Sequence, residues 1–176
     1  EFYKKYQDVE GFSIYGNDRY VFQYISDKYP EEEIKFDIKK INLVTIDIEV
    51  QSEQGFPDPE SCSEEMLTIS IQDYATKQIN TWGRKPYTPT QKNVNYHYFE
   101  DEVAMLNSFL HYWSQNPPEV ITGWNTRLYD IPYICGRISR IMGTKKLKML
   151  SPWGLVTDEE IYVSGRKYIV YDIAGV

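Results

Sequence analysis

Two carboxylates, Asp47 and Glu49, stand two residues apart in Ile41–Val50, a stretch that is otherwise almost continuously apolar and β-branched. Such a run is expected to form a central strand. Residues i and i+2 of a strand point to one face, so the two acids share a side, with Cα atoms about 6–7 Å apart. Lys and Arg are both absent from Ile41 to Pro59. Two carboxylates on a largely buried strand repel each other and lose hydration unless something positive compensates. With no cation nearby in sequence, a divalent metal is the natural candidate. An edge strand with a wet face would produce the same pattern, and these two residues alone do not separate the alternatives.

A third acid, Asp130, follows Val120-Ile121-Thr122-Gly123-Trp124-Asn125 and directly precedes Ile131-Pro132. Pro132 suits a first helical turn, which puts Asp130 at or next to an N-cap. Capping explains it locally; delivery of a carboxylate toward the strand of Asp47 and Glu49 explains it chemically. Three acidic side chains meeting at one point would hold two Mg2+ or Mn2+ ions about 3.5–4 Å apart, an arrangement suited to in-line hydrolysis of a phosphodiester.

The surrounding elements must bring these acids together. Residues 1–40 are expected to hold a short helix near Phe2–Val9, a strand at Tyr20–Ile25 and a charged turn at Asp27–Glu33. Gln51–Glu65 is a polar loop with Gly55, Pro57 and Pro59. Met66–Tyr74 and Lys77–Trp82 are expected to pair antiparallel beside the central strand, and Val94–Phe99 adds a further strand. Glu100–Gln115 takes up helical period, with Val103, Leu106, Phe109, Leu110 and Trp113 on one stripe and Pro117-Pro118 as the stop. Glu119–Thr122 is expected as a short buried strand. Ile131–Met142 forms a second helix, with Ile131, Ile134, Cys135, Ile138, Ile141 and Met142 on one face and Gly143 at its end. Glu159–Val163 and Lys167–Asp172, around Ser164-Gly165-Arg166, have the pattern of a β-hairpin. Together these predict an α/β domain with a mixed sheet.

Composition narrows the partners. A chain of 176 residues suits one domain, or one domain plus a fragment. With 41% hydrophobic and 26% charged residues it can bury a core and is not of the disordered class. No apolar run approaches the ~20 residues of a membrane span, and no signal peptide opens the chain. It begins with Glu rather than Met, which is expected of an excised segment. Cys62 and Cys135 form neither a disulfide framework nor a metal quartet, so a reducing interior is the expected compartment. A net charge of −7 argues against a free-standing phosphate-gripping nucleic-acid binder, but not against a site that handles a short DNA end through metal ions. Aromatics are 15% of the chain, with 16 Tyr; composition favours core packing over base stacking as their use.

Thr45-Ile46-Asp47-Ile48-Glu49-Val50 resembles the first exonuclease motif of family B DNA polymerases of the T-even phage type. Thr122-Gly123-Trp124-Asn125, followed by Tyr129-Asp130-Ile131-Pro132-Tyr133-Ile134, resembles the second. Tyr24-Ile25-Ser26-Asp27, Gly55-Phe56-Pro57-Asp58-Pro59 and Leu150-Ser151-Pro152-Trp153-Gly154 match in the same order, so the resemblance covers nearly the whole chain. It implies an RNase H-like (DnaQ-like) exonuclease fold with a mixed central sheet, incomplete at the C-terminus. Residues 1–40 would be a remnant of the polymerase N-terminal domain, and 41–176 a partial 3′→5′ exonuclease domain with a hairpin at 157–170. Asp47, Glu49 and Asp130 would be the catalytic metal ligands for Mg2+ or Mn2+. Phe56 would be the loop aromatic at the frayed primer end, with Asn125 and Tyr129 as further DNA-side residues; a packing Phe and a turn-forming Asn are the plainer alternatives. The hairpin resembles the element that keeps template and primer apart. Implied partners are the 3′ end of single-stranded or primer-template DNA, the palm, fingers and thumb of a longer chain, and through that chain a sliding clamp, in the cytoplasm of a host cell.

The family's third motif is a helical Tyr-x-x-x-Asp. Tyr168-Ile169-Val170-Tyr171-Asp172 has that spacing, but it is β-branched and follows a hairpin turn, so it is not expected to serve. The true pair is expected beyond Val176, and the isolated chain is therefore expected to show little or no exonuclease activity. Two rivals belong to other classes: a DNA-binding or interaction domain that keeps only the fold, and a restriction-type endonuclease. The latter usually carries a Lys two residues after the strand acid, where Val50-Gln51 follow Glu49 here.

Overall fold

The computed structural model describes residues 20–30, 35, 37–53 and 55–176. The chain divides into two compact units, 1–37 and 38–176.

In the first unit, Tyr20–Lys28 is a helix, α1, where the β-branched and aromatic run predicts a strand. The helix satisfies side chains that a strand would separate. Gln23 Nε2 donates to Asp27 Oδ1 at 2.7 Å, and Lys28 Nζ donates to Tyr24 Oη at 2.8 Å. Both pairs are i,i+4, a spacing that makes neighbours only on a helix; strand propensity is the weaker influence. The turn expected from Asp27 starts inside α1. Residues 31–34 and the helix expected near Phe2–Val9 lie outside the described residues.

The second unit opens with a 3-10 turn at Ile38–Lys40. It continues as β1 (Leu43–Val50), β2 (Met66–Asp73), β3 (Ile79–Gly83), β4 (Val94–Tyr98), α2 (Glu102–Gln115), β5 (Val120–Thr122), α3 (Asp130–Met142) and α4 (Thr144–Leu147). A second 3-10 turn at Lys148–Leu150 leads to β6 (Val156–Val163) and β7 (Arg166–Ile173). Five strands form one sheet in the order β4-β3-β2-β1-β5, and β6-β7 form a separate two-stranded sheet. β1–β2 and β2–β3 are antiparallel, while β1–β5 and β3–β4 are parallel, giving the mixed α/β sheet that the pattern predicts.

Alternation along β1 sorts its residues. Val44, Ile46 and Ile48 are buried, whereas Asp47 and Glu49 are exposed on the other face. The buried set joins Ile69, Ile71 and Trp82 in one core with Leu106, Phe109, Leu110 and Trp113 of α2 and Ile134 and Ile138 of α3. The helices therefore seal one face of the sheet and leave the acidic side of β1 open.

Several boundaries and faces differ from expectation. α2 starts at Glu102 behind Asp101, whose carboxylate accepts from the Ala104 N–H at 2.6 Å as a true N-cap. Val103 is 39% exposed, and Glu102 and Met105 take its place on the buried stripe. The helix is thus turned relative to the apolar pattern, because a buried ion pair claims Glu102. β5 spans only three residues and is mostly exposed, since it is an edge strand with one neighbour. Ile141 and Met142 are half-buried at the end of α3 rather than core. The hairpin is longer than expected, and Ser164 and Gly165 turn it with φ of 51° and 79°. Two consecutive positive φ values match the right-handed twist of the flanking strands.

Truncating Phe109 to Ala is expected to cost about 3–5 kcal/mol of unfolding free energy, whereas Val103→Ala stays within about 1 kcal/mol. Urea denaturation of the two variants checks this; a larger loss at Val103 would mean that α2 presents a different face to the sheet.

Candidate active site

β5 runs beside β1 only from Leu43 to Thr45, opposite Val120 to Thr122. Gly123 then carries the chain across the edge of β1. A Cβ at this position would lie 2.6 Å from the Ile46 carbonyl oxygen and 2.2 Å from Thr126 Oγ1, so no larger residue fits this crossing. Asn125 follows with φ of 56°, and its carbonyl accepts from the Leu128 and Tyr129 N–H groups at 3.0 Å each. Asn tolerates this left-handed backbone better than most residues. Asn125 therefore forms the turn, and its side chain is exposed.

The turn ends with Asp130 as the first residue of α3. Asp130 is 4% exposed. It does not cap its own helix: the capping position is Tyr129, which makes no side-chain cap bond. Instead Asp130 Oδ1 accepts from the Ile48 N–H of β1 at 3.2 Å. β5, ending opposite Thr45, does not reach that N–H. Ile48 lies between Asp47 and Glu49 in the strand, so the buried carboxylate arrives beside the two exposed ones.

The electrostatics agree with that proximity. Burial pushes the Asp130 carboxyl up to about 6, and the charges of Asp47 and Glu49 add to the rise, against the opposing Ile48 N–H. No basic group appears among the influences on it. Three carboxylates are a hard-oxygen donor set of the kind that Mg2+ or Mn2+ prefers. Among the described residues, however, no group of three or more His, Cys, Asp or Glu side chains is gathered to hold a metal ion. One Asp130 oxygen is committed to the strand.

Phe56 and Tyr129 are brought together. Phe56, 78% exposed, has its ring 4.7 Å from that of Tyr129, and Tyr129 lies 5.8 Å from Tyr133. Burial raises the Tyr129 phenol to about 12, with the negative charges of Asp130 and Glu49 contributing. The aromatic pair is thus adjacent to the acids. Tyr168 and Asp172 lie in β7, extended rather than helical.

A buried ion pair escaped the sequence reading. Arg137 Nε and Nη2 donate to Glu102 Oε1 and Oε2 at 2.9 and 2.6 Å, joining α3 to α2. Its signal was present as a single charged residue on the apolar stripe of each helix, Glu102 beside Met105 and Arg137 beside Ile134 and Ile138. Periodicity treats such residues as interruptions, and only the packing shows that they meet.

A family model for the exonuclease domain of DNA polymerase family B matches residues 13–176. The chain is 32% identical over 174 residues to a DNA-directed DNA polymerase of Escherichia phage RB69, covering 85% of this chain and 19% of that protein. It is 31% identical over 198 aligned positions to the DNA-directed DNA polymerase of Enterobacteria phage T4, covering 98% of this chain and 22% of that protein. A DNA polymerase catalytic subunit of Human herpesvirus 7 is 31% identical over 116 residues, 59% of this chain and 11% of the viral protein. The chain spans about a fifth of the length of the two phage polymerases.

Because the folded state holds Asp130 with a raised pKa, it favours the protonated acid. The associated stability is fully present below the ordinary carboxylate pKa near 4 and is lost as pH rises through about 6. Without divalent metal, the chain is expected to lose on the order of 2 kcal/mol between pH 4 and pH 7 from this group. Asp130→Asn keeps an acceptor for the Ile48 N–H and should abolish that loss, leaving the variant at least as stable as the parent at pH 7.5. Thermal unfolding in EDTA at pH 4.5, 6 and 7.5 tests this; equal destabilisation by Asp130→Asn at all three would contradict it.

Proposed function

Because the chain belongs to the exonuclease-domain family of the family B DNA polymerases, we propose that it is the 3′→5′ proofreading region of a replicative DNA-directed DNA polymerase, acting on the terminal phosphodiester of single-stranded or frayed DNA. The observation that carries this proposal is the arrival of buried Asp130 at the β1 edge between exposed Asp47 and Glu49.

In this proposal Asp47 and Glu49 are the direct ligands of Mg2+ or Mn2+, for which their shared open face suits them. Bound divalent ions would supply activation of water and neutralisation of charge on the leaving 3′ oxygen. Asp130 orients the site from the protein side, with one oxygen fixed on the Ile48 N–H. Phe56 and Tyr129 offer aromatic faces to the terminal unpaired base, which a paired duplex end could not reach. Asn125 sets the backbone turn that delivers Tyr129 and Asp130. The product would be a nucleoside 5′-monophosphate. The acting enzyme would include the palm, fingers and thumb of a longer polymerase, engage primer-template DNA and a sliding clamp, and work in the cytoplasm of a host cell. No helix among the described residues is long and apolar enough to cross a membrane.

Tyr168 and Asp172 in β7 do not supply a helical third motif. The isolated chain is therefore expected to cleave a 5′-labelled single-stranded oligonucleotide poorly with Mg2+ or Mn2+. Robust turnover abolished by Asp47→Ala would overturn that expectation. Mn2+ is expected to raise the thermal midpoint of the chain, and Asp47→Ala/Glu49→Ala to lose the rise. A midpoint indifferent to Mn2+ would favour the rival, a DNA-binding domain that retains only the fold.

A further inference from the structure

Four consecutive carbonyls of the loop between β1 and β2 are held from one face of α3. Arg140 Nη1 donates to Ser61 O at 3.1 Å, and Arg137 Nη1 donates to Cys62 O at 3.0 Å and Ser63 O at 2.9 Å. Tyr133 Oη donates to Glu64 O at 2.8 Å. Residues 133, 137 and 140 fall on one stripe of the helix. Gly136, between them, lets the loop settle: a Cβ there would meet Cys62 Sγ at 2.4 Å. A connection between strands is ordinarily the mobile, water-satisfied part of a fold. Here its last residues are bonded like a secondary-structure element.

Arg137 is itself fixed. Its fork is bidentate on Glu102, and Glu102 Oε1 also accepts from the Met66 N–H at 2.8 Å, where the loop ends and β2 begins. Arg137 and Glu102 are 9% and 8% exposed. A buried ion pair gives little stability over an apolar pair of similar volume, because desolvation offsets the attraction. What it does give is geometry: one guanidinium ties α2, α3 and the loop together with directed bonds that no apolar side chain and no Lys reproduces. The same loop presents Phe56, whose ring rests on Tyr129 at 4.7 Å, and Tyr129 immediately precedes Asp130.

We propose that Arg137, held by Glu102, is a positioning residue for the terminal nucleotide, fixing Phe56 and Tyr129 relative to Asp47, Glu49 and Asp130 through the loop it grips. This deepens the exonuclease assignment and rests on it. Arg137 touches neither base nor phosphate in this scheme; it acts through the loop.

The test uses this chain with a single-stranded oligonucleotide ending in 5-iodo-2′-deoxyuridine, with Ca2+ present to suppress cleavage. Photo-crosslinks are mapped by mass spectrometry, alongside the thermal shift given by Mn2+. The parent chain is expected to crosslink at Phe56 or Tyr129. Arg137→Lys is expected to keep the Mn2+ shift, because the three acids are untouched, while its crosslink at those residues falls by about fivefold or more, since small misplacements weaken oriented contacts steeply. Tyr133→Phe removes one hydroxyl from the same grip and should lower the crosslink by about twofold, which keeps the test open if Arg137→Lys does not fold. An unchanged crosslink in the folded variants would overturn the positioning role. If the parent chain shows neither crosslink nor Mn2+ shift, it is the exonuclease assignment that falls, and the positioning role with it.

Discussion

One backbone N–H at the edge of β1 organises this structure. β5 supports β1 for three residues and then leaves, so past Thr45 the strand has no neighbouring strand on that side among the described residues. An N–H buried without a partner carries a desolvation cost. At Ile48 the partner is the Asp130 carboxylate, from the start of a helix 82 positions along the chain. That bond, together with the apolar face of α3 in the core, sets the start of the helix against the strand. It also brings a buried acid to the two exposed ones, in an environment that favours its neutral form. The gap left by β5 and the helix start that fills it are one feature, and Gly123 permits both because only glycine clears the Ile46 carbonyl.

The same helix organises the other half of the site. Its first residue faces β1, while Tyr133, Arg137 and Arg140 hold the loop that follows β1. Asp130 and the aromatic pair are therefore referenced to α3, and α3 in turn to the strand that carries Asp47 and Glu49. This arrangement suits chemistry on a flexible polymer end, where orientation of the reacting bond contributes much of the rate.

The acidic balance fits this division of labour. A net charge of −7 argues against a hold on DNA made mainly by neutralising phosphates. Its proposed contacts with a DNA end are instead ring faces and cation-bridged oxygens, both short in range. Extended electrostatic grip would fall to the rest of a longer polymerase, of which the chain matches about a fifth.

Much of this was legible in the sequence, for a local reason. The alternation along β1, the helical periods of α2 and α3 and the Ser164-Gly165 turn are fixed by neighbours close in the chain, so the strands, helices and the shared face of Asp47 and Glu49 follow from spacing alone. Where i,i+4 side-chain pairs outweighed β-branched propensity, at Tyr20–Ile25, the local reading failed. Glu102 and Arg137 stand outside the apolar stripes read from the sequence, and they are buried as an ion pair between two helices. Asp130 looked like a helix cap, and became a strand partner because β5 stops short. Those outcomes depend on which distant groups share a low-dielectric interior, and only the packed chain decides that.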